Sequence, residues 1–290
     1  MRDMRDTLRD TFSRVLNLEN RRQSIRRGSI ERIPAFASAI FGNTRDITVY
    51  LPPGYQERES LRYPVLYMQD GQNLFDPERA YIPGQSWLLH EAADRAIASR
   101  MAGPMIIVGI DHAGVGRIDE FTPTMEPQRN AGGKADDYAR LLIEEVKVMT
   151  DARFRTRPER SATAIGGSSL GGLLAMYVGL RHPEVFGAIA AMSPSVWWHD
   201  RVILNVVDQF SSPERPRIWL DIGGREGGEA LQDARLLRDH LTAGGWDLRS
   251  DLRFFEDRRA DHSERAWARR AGVMLEYLFR LDELNIPHVN

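Results

Sequence analysis

The chain has 290 residues, of which 42% are hydrophobic and 28% are charged, and its formal net charge is −2. These values are typical of a globular protein with one large core, and they exclude the strongly basic surface of a protein that binds nucleic acid or anionic membrane. Cysteine is absent, which excludes disulfides, a thiol nucleophile and a cysteine-ligated metal. We therefore predict a small-molecule substrate, with no metal, cofactor, nucleic acid or membrane as a partner, and leave open whether the chain forms a homo-oligomer.

The first 30 residues differ in character from the rest. Charges recur there too often for the apolar core of a signal peptide, and no stretch of the chain approaches about 18 consecutive apolar residues. Leu8, Phe12, Val15 and Leu16 could form one stripe of a helix. We predict a helical arm over residues 1–30, a single α/β domain over residues 31–290, and a cytoplasmic location.

From residue 31 the elements follow a regular order. Two strand-like runs flank Gly42 and Asn43, which predicts a hairpin. Strand-like and helix-like runs then alternate to the C-terminus, which predicts a mostly parallel sheet with helices on both faces and the antiparallel hairpin at one edge. The runs "PVLYM" and "MIIVGI" are apolar without a two-residue alternation, as expected of central strands, whereas "DLRSDLRFF" mixes charged and apolar residues and suits an edge.

A glycine-rich turn joins one strand-like run to one helix-like run, in the segment "AIGGSSLGGLLAMY". It fails both nucleotide-binding templates, because the glycine spacing differs and no lysine follows. It does fit G-x-S-x-G, as Gly167-Ser168-Ser169-Leu170-Gly171. This pattern predicts a strained strand-to-helix turn that presents Ser169 as a nucleophile.

A serine nucleophile requires a base, and the base requires a carboxylate that fixes its tautomer. His262 is the best-placed base, in a polar loop after the last strand-like run and before a helix. Two acids lie between Ser169 and His262 near a strand end, Asp221 inside the strand and Glu226 in the glycine-rich loop after it. We favour Glu226 and keep Asp221 as the alternative, because a carboxylate inside a buried strand needs its own donors.

An oxyanion formed at Ser169 would need two N–H donors. We expect one from Leu170, directly after the nucleophile. The second is expected from Gln72, in the sharp turn after the strand-like run "YPVLYMQ".

The chain resembles the putative-esterase family of α/β hydrolases, which includes enterochelin, feruloyl and acetylxylan esterases, S-formylglutathione hydrolase and the mycolyltransferases. The resemblance covers about residues 35–280 and is carried by "YLPPGY", "YPVLYMQDGQNLFD", "GQSW", "IIVGIDHAGVGRIDEFTP", "IGGSSLGGL", "SPSVWW", "WLDIGGREG" and "DHSERAW". It implies an α/β-hydrolase fold, Ser169 as nucleophile, His262 as base and oxyanion donors at Gln72 and Leu170. It places the acid at Glu226, where feruloyl esterases have the aspartate of Gly-Thr-x-Asp. Residues 1–30 match nothing in the family pattern, and we see neither a leader nor a carbohydrate-binding module.

The resulting prediction is a serine carboxylic ester hydrolase that acts through an acyl-enzyme on a small or medium-sized ester of acyl-sugar, feruloyl or siderophore type. An acyltransferase with the same residues and a non-catalytic binding protein that retains the fold are the alternatives. Five aromatic or charged residues on loops at the same sheet edge are candidate substrate contacts: Trp87, His112, Arg117, Trp197 and Trp198.

Overall fold

The computed structural model describes residues 26–281. The predicted helical arm therefore lies almost wholly outside the described residues. Within the described residues, the first strand begins at Ser29.

Ten strands are present in residues 26–281, and eight of them form one sheet in the order β1-β2-β4-β3-β7-β8-β9-β10. The strands β3, β4, β7, β8, β9 and β10 are mutually parallel, whereas β2 runs antiparallel to both β1 and β4. The predicted mostly parallel sheet with an antiparallel hairpin at one edge is confirmed, and β10 lies at the opposite edge. The strands are β1 (Ser29–Ala37), β2 (Thr44–Leu51), β3 (Val65–Gln69), β4 (Ile106–Ile110), β5 (Met125–Glu126), β6 (Ala131–Gly132), β7 (Thr163–Ser168), β8 (Ala188–Met192), β9 (Arg217–Gly223) and β10 (Leu252–Asp257).

Helices cover both faces of the sheet. They are α1 (Leu89–Ala98), α2 (Arg117–Phe121), α3 (Ala135–Arg140), which continues through a π-helical stretch (Leu141–Val146) into α4 (Lys147–Arg153), α5 (Leu170–Arg181), α6 (Trp198–Asp208), α7 (Gly228–Ala243) and α8 (Glu264–Leu278). None of the helices within residues 26–281 is both long and apolar enough to cross a membrane.

The pleat of β3 shows how the two layers form. Val65 and Tyr67 face a core shared with α3 and α5–α7, whereas Leu66 and Met68 face a second core shared with α1 and α8. Every residue of β3 is buried, because a strand inside a parallel sheet has helices on both sides.

Helix α6 was not predicted from the sequence. Its first turn contains His199, Asp200 and Arg201 with φ of 42°, 51° and 62°, a left-handed conformation that non-glycine residues seldom adopt. The apolar residues at helical spacing therefore begin only after Arg201, and the polar residues before them resemble a loop.

The six parallel strands point the same way, so the loops after their carboxyl ends open at one edge of the sheet. This edge is where α/β proteins assemble their ligand and catalytic sites. The loops that carry Gln72, His112, Ser169, Trp197, Glu226 and His262 all begin there.

Candidate active site

Ser169 occupies a strained turn between β7 and α5. Its backbone has φ 57° and ψ −123°, which is unfavourable for any residue with a Cβ. Two hydrogen bonds hold this conformation: the N–H of Ser169 donates to the carbonyl of Met192 at 3.0 Å, and the carbonyl of Ser169 accepts from the N–H of Ser195 at 3.0 Å. The turn places the serine side chain above the edge of the sheet.

The glycine before this turn is required by close approach. A Cβ at Gly167 would lie 2.6 Å from both the carbonyl carbon and the carbonyl oxygen of Gly171. No flexible side chain could move to relieve that overlap, since both atoms belong to the backbone. Gly167 is therefore needed for the turn to close.

His262 joins the serine to a carboxylate. Its Nε2 lies 3.0 Å from Oγ of Ser169, and its Nδ1 lies 2.6 Å from Oε2 of Glu226. The histidine side chain is 44% exposed and that of Glu226 only 1% exposed. The histidine ring is therefore open to solvent, while its carboxylate partner is shielded from it.

The loops that carry Glu226 and His262 are joined by backbone hydrogen bonds. The N–H of Gly224 donates to the carbonyl of Asp257 at 2.8 Å, and the N–H of Arg225 donates to the carbonyl of Ala260 at 2.9 Å. These bonds extend the β9–β10 pairing beyond the strand ends, so the acid and the base are held as one unit.

Burial alone would raise the pKa of Glu226, but hydrogen bonds from His262, Ser193 and the N–H of Gly223 outweigh it and lower that pKa below the ordinary glutamate value. The carboxylate is therefore ionised at neutral pH.

Asp221, the alternative acid, lies behind this chain of hydrogen bonds. It is fully buried, and its oxygens accept from the Trp219 indole at 2.8 Å and from the Ser193 N–H at 3.1 Å. Its Oδ1 also lies 3.0 Å from Nη2 of Arg270. Burial raises the pKa of Asp221 to about 6 despite these partners. No hydrogen bond joins it to His262 among the described residues.

The turn after β3 brings the predicted oxyanion donors to the same edge. Gln72 lies in a short 3₁₀ turn (Gly71–Asn73), and a Cβ at Gly71 would lie 2.5 Å from the backbone carbon of Gly109, so this turn packs directly on β4. Leu170 is the first residue of α5, and its N–H therefore has no carbonyl partner inside the helix.

Two of the predicted substrate contacts support this turn. Nε and Nη2 of Arg117 each donate to one oxygen of Asp70 at 2.7 Å, a bidentate ion pair. The N–H of His112 donates to Oε1 of Gln72 at 3.3 Å, and Nδ1 of His112 accepts from the Gly114 N–H at 2.8 Å. Burial lowers the pKa of His112, so the ring is neutral and carries its proton on Nε2.

The three predicted tryptophan contacts separate into two groups. Trp87 is 4% exposed and packs 5.9 Å from the ring of Trp267. Trp198 is 1% exposed, and its indole donates to the carbonyl of Thr124. Contrary to expectation, the structure therefore places these two side chains in the core, where their area is already used for packing. Trp197 is 45% exposed, and the guanidinium of Arg129 lies 5.0 Å from its ring centre.

Three site residues were not singled out from the sequence. Oγ of Ser195 lies 3.4 Å from Oγ of Ser169. The hydroxyl of Ser193 donates to Glu226 and accepts from Arg270, whose guanidinium also lies 3.8 Å from Glu226. A signal for Arg270 was available: Trp267, Arg270, Ala271 and Met274 follow one helical stripe, and a charge on a buried stripe requires a counter-charge.

The fold and this site define an α/β hydrolase. The sequence also matches the family model described as "Putative esterase" over residues 38–276. The chain therefore belongs to the putative esterase family and is an enzyme of the carboxylic ester hydrolase class.

Several known proteins are similar to this chain. It is 27% identical over 193 residues to the uncharacterized protein YbbA of Bacillus subtilis, covering 65% of this chain and 71% of YbbA. It is 29% identical to an endo-1,4-beta-xylanase/feruloyl esterase of Xylanibacter ruminicola and 30% identical to a siderophore triacetylfusarinine C esterase of Aspergillus fumigatus, covering 62% and 57% of this chain. The matched regions span only 24% and 56% of those two proteins. The crystal structure of the BES protein from Bacillus cereus has a TM-score of 0.71 at 20% identity, covering 86% of this chain and 94% of that one.

Replacement of Gly167 by alanine tests how tightly the strained turn between β7 and α5, the elbow, packs against Gly171. The added Cβ must displace the start of α5, and a misplacement of ~1 Å at a reacting group costs about 100-fold in rate. We expect a loss of that order in p-nitrophenyl acetate turnover by a folded protein.

Gly272→Ala is the matched control, since no atom lies within 4 Å of the added Cβ. It should retain activity and gain up to about 1 kcal/mol of stability from helix propensity. Full activity in Gly167→Ala would show that the elbow tolerates a Cβ.

Proposed function

We propose that the protein is a serine esterase that works through an acyl-enzyme, with Ser169 as nucleophile, His262 as base and Glu226 as the acid that orients it. The observation that carries the proposal is the unbroken line of contacts from Ser169 Oγ through the two ring nitrogens of His262 to Glu226. Each contact has hydrogen-bond length, and the three groups come from three loops at one sheet edge.

The order of steps follows from this geometry. Because Glu226 is ionised, it accepts from Nδ1–H of His262, which leaves Nε2 free to accept the Ser169 proton as Oγ attacks the ester carbonyl. The protonated ring then gives its proton to the leaving alcohol. Water, activated by the same nitrogen, attacks the acyl-enzyme and releases the acid.

The developing negative charge would lie between the N–H groups of Gln72 and Leu170. The Asp70–Arg117 ion pair favours this arrangement, since Oδ2 of Asp70 would lie 3.3 Å from a Cβ at Gly171. That proximity shows that the first turn of α5, which carries one donor, packs against the β3 loop, which carries the other. Donors fixed before the reaction stabilise an oxyanion without reorganising.

The substrate is proposed to be a small or medium-sized ester with an aromatic group. Trp197 is exposed two residues after Ser195, whose hydroxyl lies beside Ser169, and the guanidinium of Arg129 over its ring could bind an anionic or phenolic oxygen. Feruloyl and siderophore esters are favoured over acetyl-sugars for this reason, and two relatives carry such names. A cytoplasmic location stays a prediction.

Ser169→Ala should lower the turnover of p-nitrophenyl butyrate by on the order of 10³-fold or more, because the proposed acyl-enzyme forms on Ser169. Mass spectrometry of the wild type quenched during turnover should show one acyl adduct on the peptide that contains Ser169. Ser168→Ala should keep most of the activity and the adduct. Unchanged turnover in Ser169→Ala would exclude the serine mechanism.

The same assay distinguishes a hydrolase from an acyltransferase when an alcohol is added. The exposure of His262 gives water access to the acyl-enzyme, so we expect the free acid to dominate. Predominant transfer to the alcohol would instead favour the acyltransferase.

Glu226→Gln should lower kcat by about 10²–10⁴-fold, since the amide cannot hold His262 in the Nδ1–H tautomer as a carboxylate does. Asp221→Asn should cost much less, because Asp221 has no hydrogen bond to the ring. Steady-state kinetics of the two variants decide between the acids, and a larger loss in Asp221→Asn would reverse the assignment.

Trp197→Ala should raise KM for feruloyl esters and for a siderophore trilactone by roughly 10-fold, which corresponds to the loss of one aromatic or cation–π contact. The KM for acetylated xylo-oligosaccharides should change little. Arg129→Met should act in the same direction, whereas Arg140→Met on the surface of α3 should not. Equal losses on all three substrates would show that Trp197 stabilises the site rather than selects the ester.

A further inference from the structure

The buried face of Glu226 is occupied by a second set of polar groups. Ser193 follows β8 and is 1% exposed, and its Oγ lies 2.6 Å from Oε1 of Glu226. The same oxygen of Ser193 lies 3.0 Å from Nε1 of Trp267 and 2.8 Å from Nη2 of Arg270. Thus three groups converge on one hydroxyl.

The direction of each of these hydrogen bonds is determined by chemistry. The indole N–H and the guanidinium N–H can only donate, and a serine hydroxyl has two acceptor lone pairs and one proton. Trp267 and Arg270 therefore use both lone pairs of Ser193. Its single proton is left for Glu226, which must accept it.

This has a consequence for the carboxylate. Oε1 of Glu226 accepts from Ser193 and, at 2.7 Å, from the N–H of Gly223, so it has no place for a proton. Oε2 is left for Nδ1–H of His262. The donors that lie behind the carboxylate therefore favour an ionised Glu226, which accepts from Nδ1–H of His262 and leaves Nε2 free to face Ser169.

Arg270 is held in turn by the second buried carboxylate. Its Nη2 lies 3.0 Å from Oδ1 of Asp221 and 3.8 Å from Oε1 of Glu226. Asp221 also accepts from the N–H of Ser193, so it fixes both the guanidinium and the backbone of the serine. Ser193 has a φ of 42°, a conformation that must be imposed by its surroundings.

We propose that Ser193 and Arg270 are positioning residues of the esterase: Arg270, anchored by Asp221, orients the Ser193 hydroxyl so that Glu226 stays an ionised acceptor and holds His262 in its reactive tautomer. The proposal rests on the function proposed above for Ser169, His262 and Glu226. It assigns to Asp221 a role distinct from that of the triad acid.

The pH dependence supplies a readout that a purely structural role would not change. Glu226 faces His262, Ser193, the N–H of Gly223 and Arg270, whereas Asp221 faces Arg270, Trp219, the N–H of Ser193 and, beyond them, Glu226. Removal of the Ser193 hydroxyl takes away one of the donors that lower the pKa of Glu226. Glu226 would then take up a proton at a higher pH. The acid limb of the kcat/KM profile, where activity is lost as the pH falls, should therefore move to higher pH.

The test compares Ser193→Ala, Arg270→Met and Arg270→Lys in the full chain, with p-nitrophenyl acetate as the probe. The first two should lower kcat by about 10- to 100-fold, the range found when an outer-shell partner that orients a metal-ligating side chain is removed, with KM little changed and the acid limb shifted to higher pH. Arg270→Lys keeps a charged donor, so its kcat and its acid limb should both lie between those of Arg270→Met and the wild type. Ser38→Ala removes a buried serine hydroxyl that accepts from Phe41 in the β1–β2 turn, and should change neither quantity.

The outcomes separate this proposal from the function on which it rests. Activity retained in Ser169→Ala would overturn the triad itself. An inactive Ser169→Ala together with wild-type kcat and an unshifted acid limb in folded Ser193→Ala and Arg270→Met would overturn the positioning roles alone. If Arg270→Met fails to fold, as judged by circular dichroism, Ser193→Ala and Arg270→Lys decide.

Discussion

The strained backbone of Ser169 is the constraint on which the rest of the site depends. A φ of 57° at a residue with a side chain persists only where the surroundings over-determine it. Here the two backbone hydrogen bonds to Met192 and Ser195 come from β8 and the loop after it, so the elbow is fastened to the neighbouring strand. The same segment places Ser193 beside Glu226 and Ser195 beside Ser169.

Two charge pairs, one partly buried and one fully buried, lie at this edge of the sheet on either side of the elbow. Arg117 holds Asp70 under the β3 turn, and Arg270 holds Asp221 between β9 and α8. A buried ion pair contributes little net stability compared with an apolar pair, and loss of one partner is costly. Here the two pairs orient their neighbours. Arg117 restricts the position of Asp70, and Arg270 restricts the position of Asp221.

Much of this arrangement could be predicted from the sequence. The alternation of apolar runs and turns is a local signal, so the parallel sheet and its hairpin follow from it, and the G-x-S-x-G turn predicts the strand-to-helix junction at Ser169. Ser169, Glu226 and His262 were predicted to lie together, and their side chains are in contact in the structure. Their catalytic roles stay a proposal.

Other features depend on tertiary contacts that no local pattern shows. Asp221 and Glu226 are only five residues apart, and the choice between them depends on how the loop after β9 folds back over the strand end. Adjacent Trp197 and Trp198 look alike in sequence, yet one is exposed and the other is buried, because only Trp198 packs into the core and donates from its indole to the carbonyl of Thr124. The role of Ser193 could not be seen at all, since its three partners come from β9's loop and from α8.

Under the proposed function, the division between buried and exposed groups separates the residues of the reaction from those that would contact the ester. The side chains of Glu226, Ser193, Asp221 and Arg270 are shielded and contact one another, so a change in any of them disturbs the others. Trp197 and Arg129 are exposed and contact each other, on loops that can vary without disturbing that network. Under the proposed function, the chemistry therefore depends on the interior of the sheet edge, whereas the choice of substrate depends on its rim, where Trp197 could be exchanged at little cost to the fold.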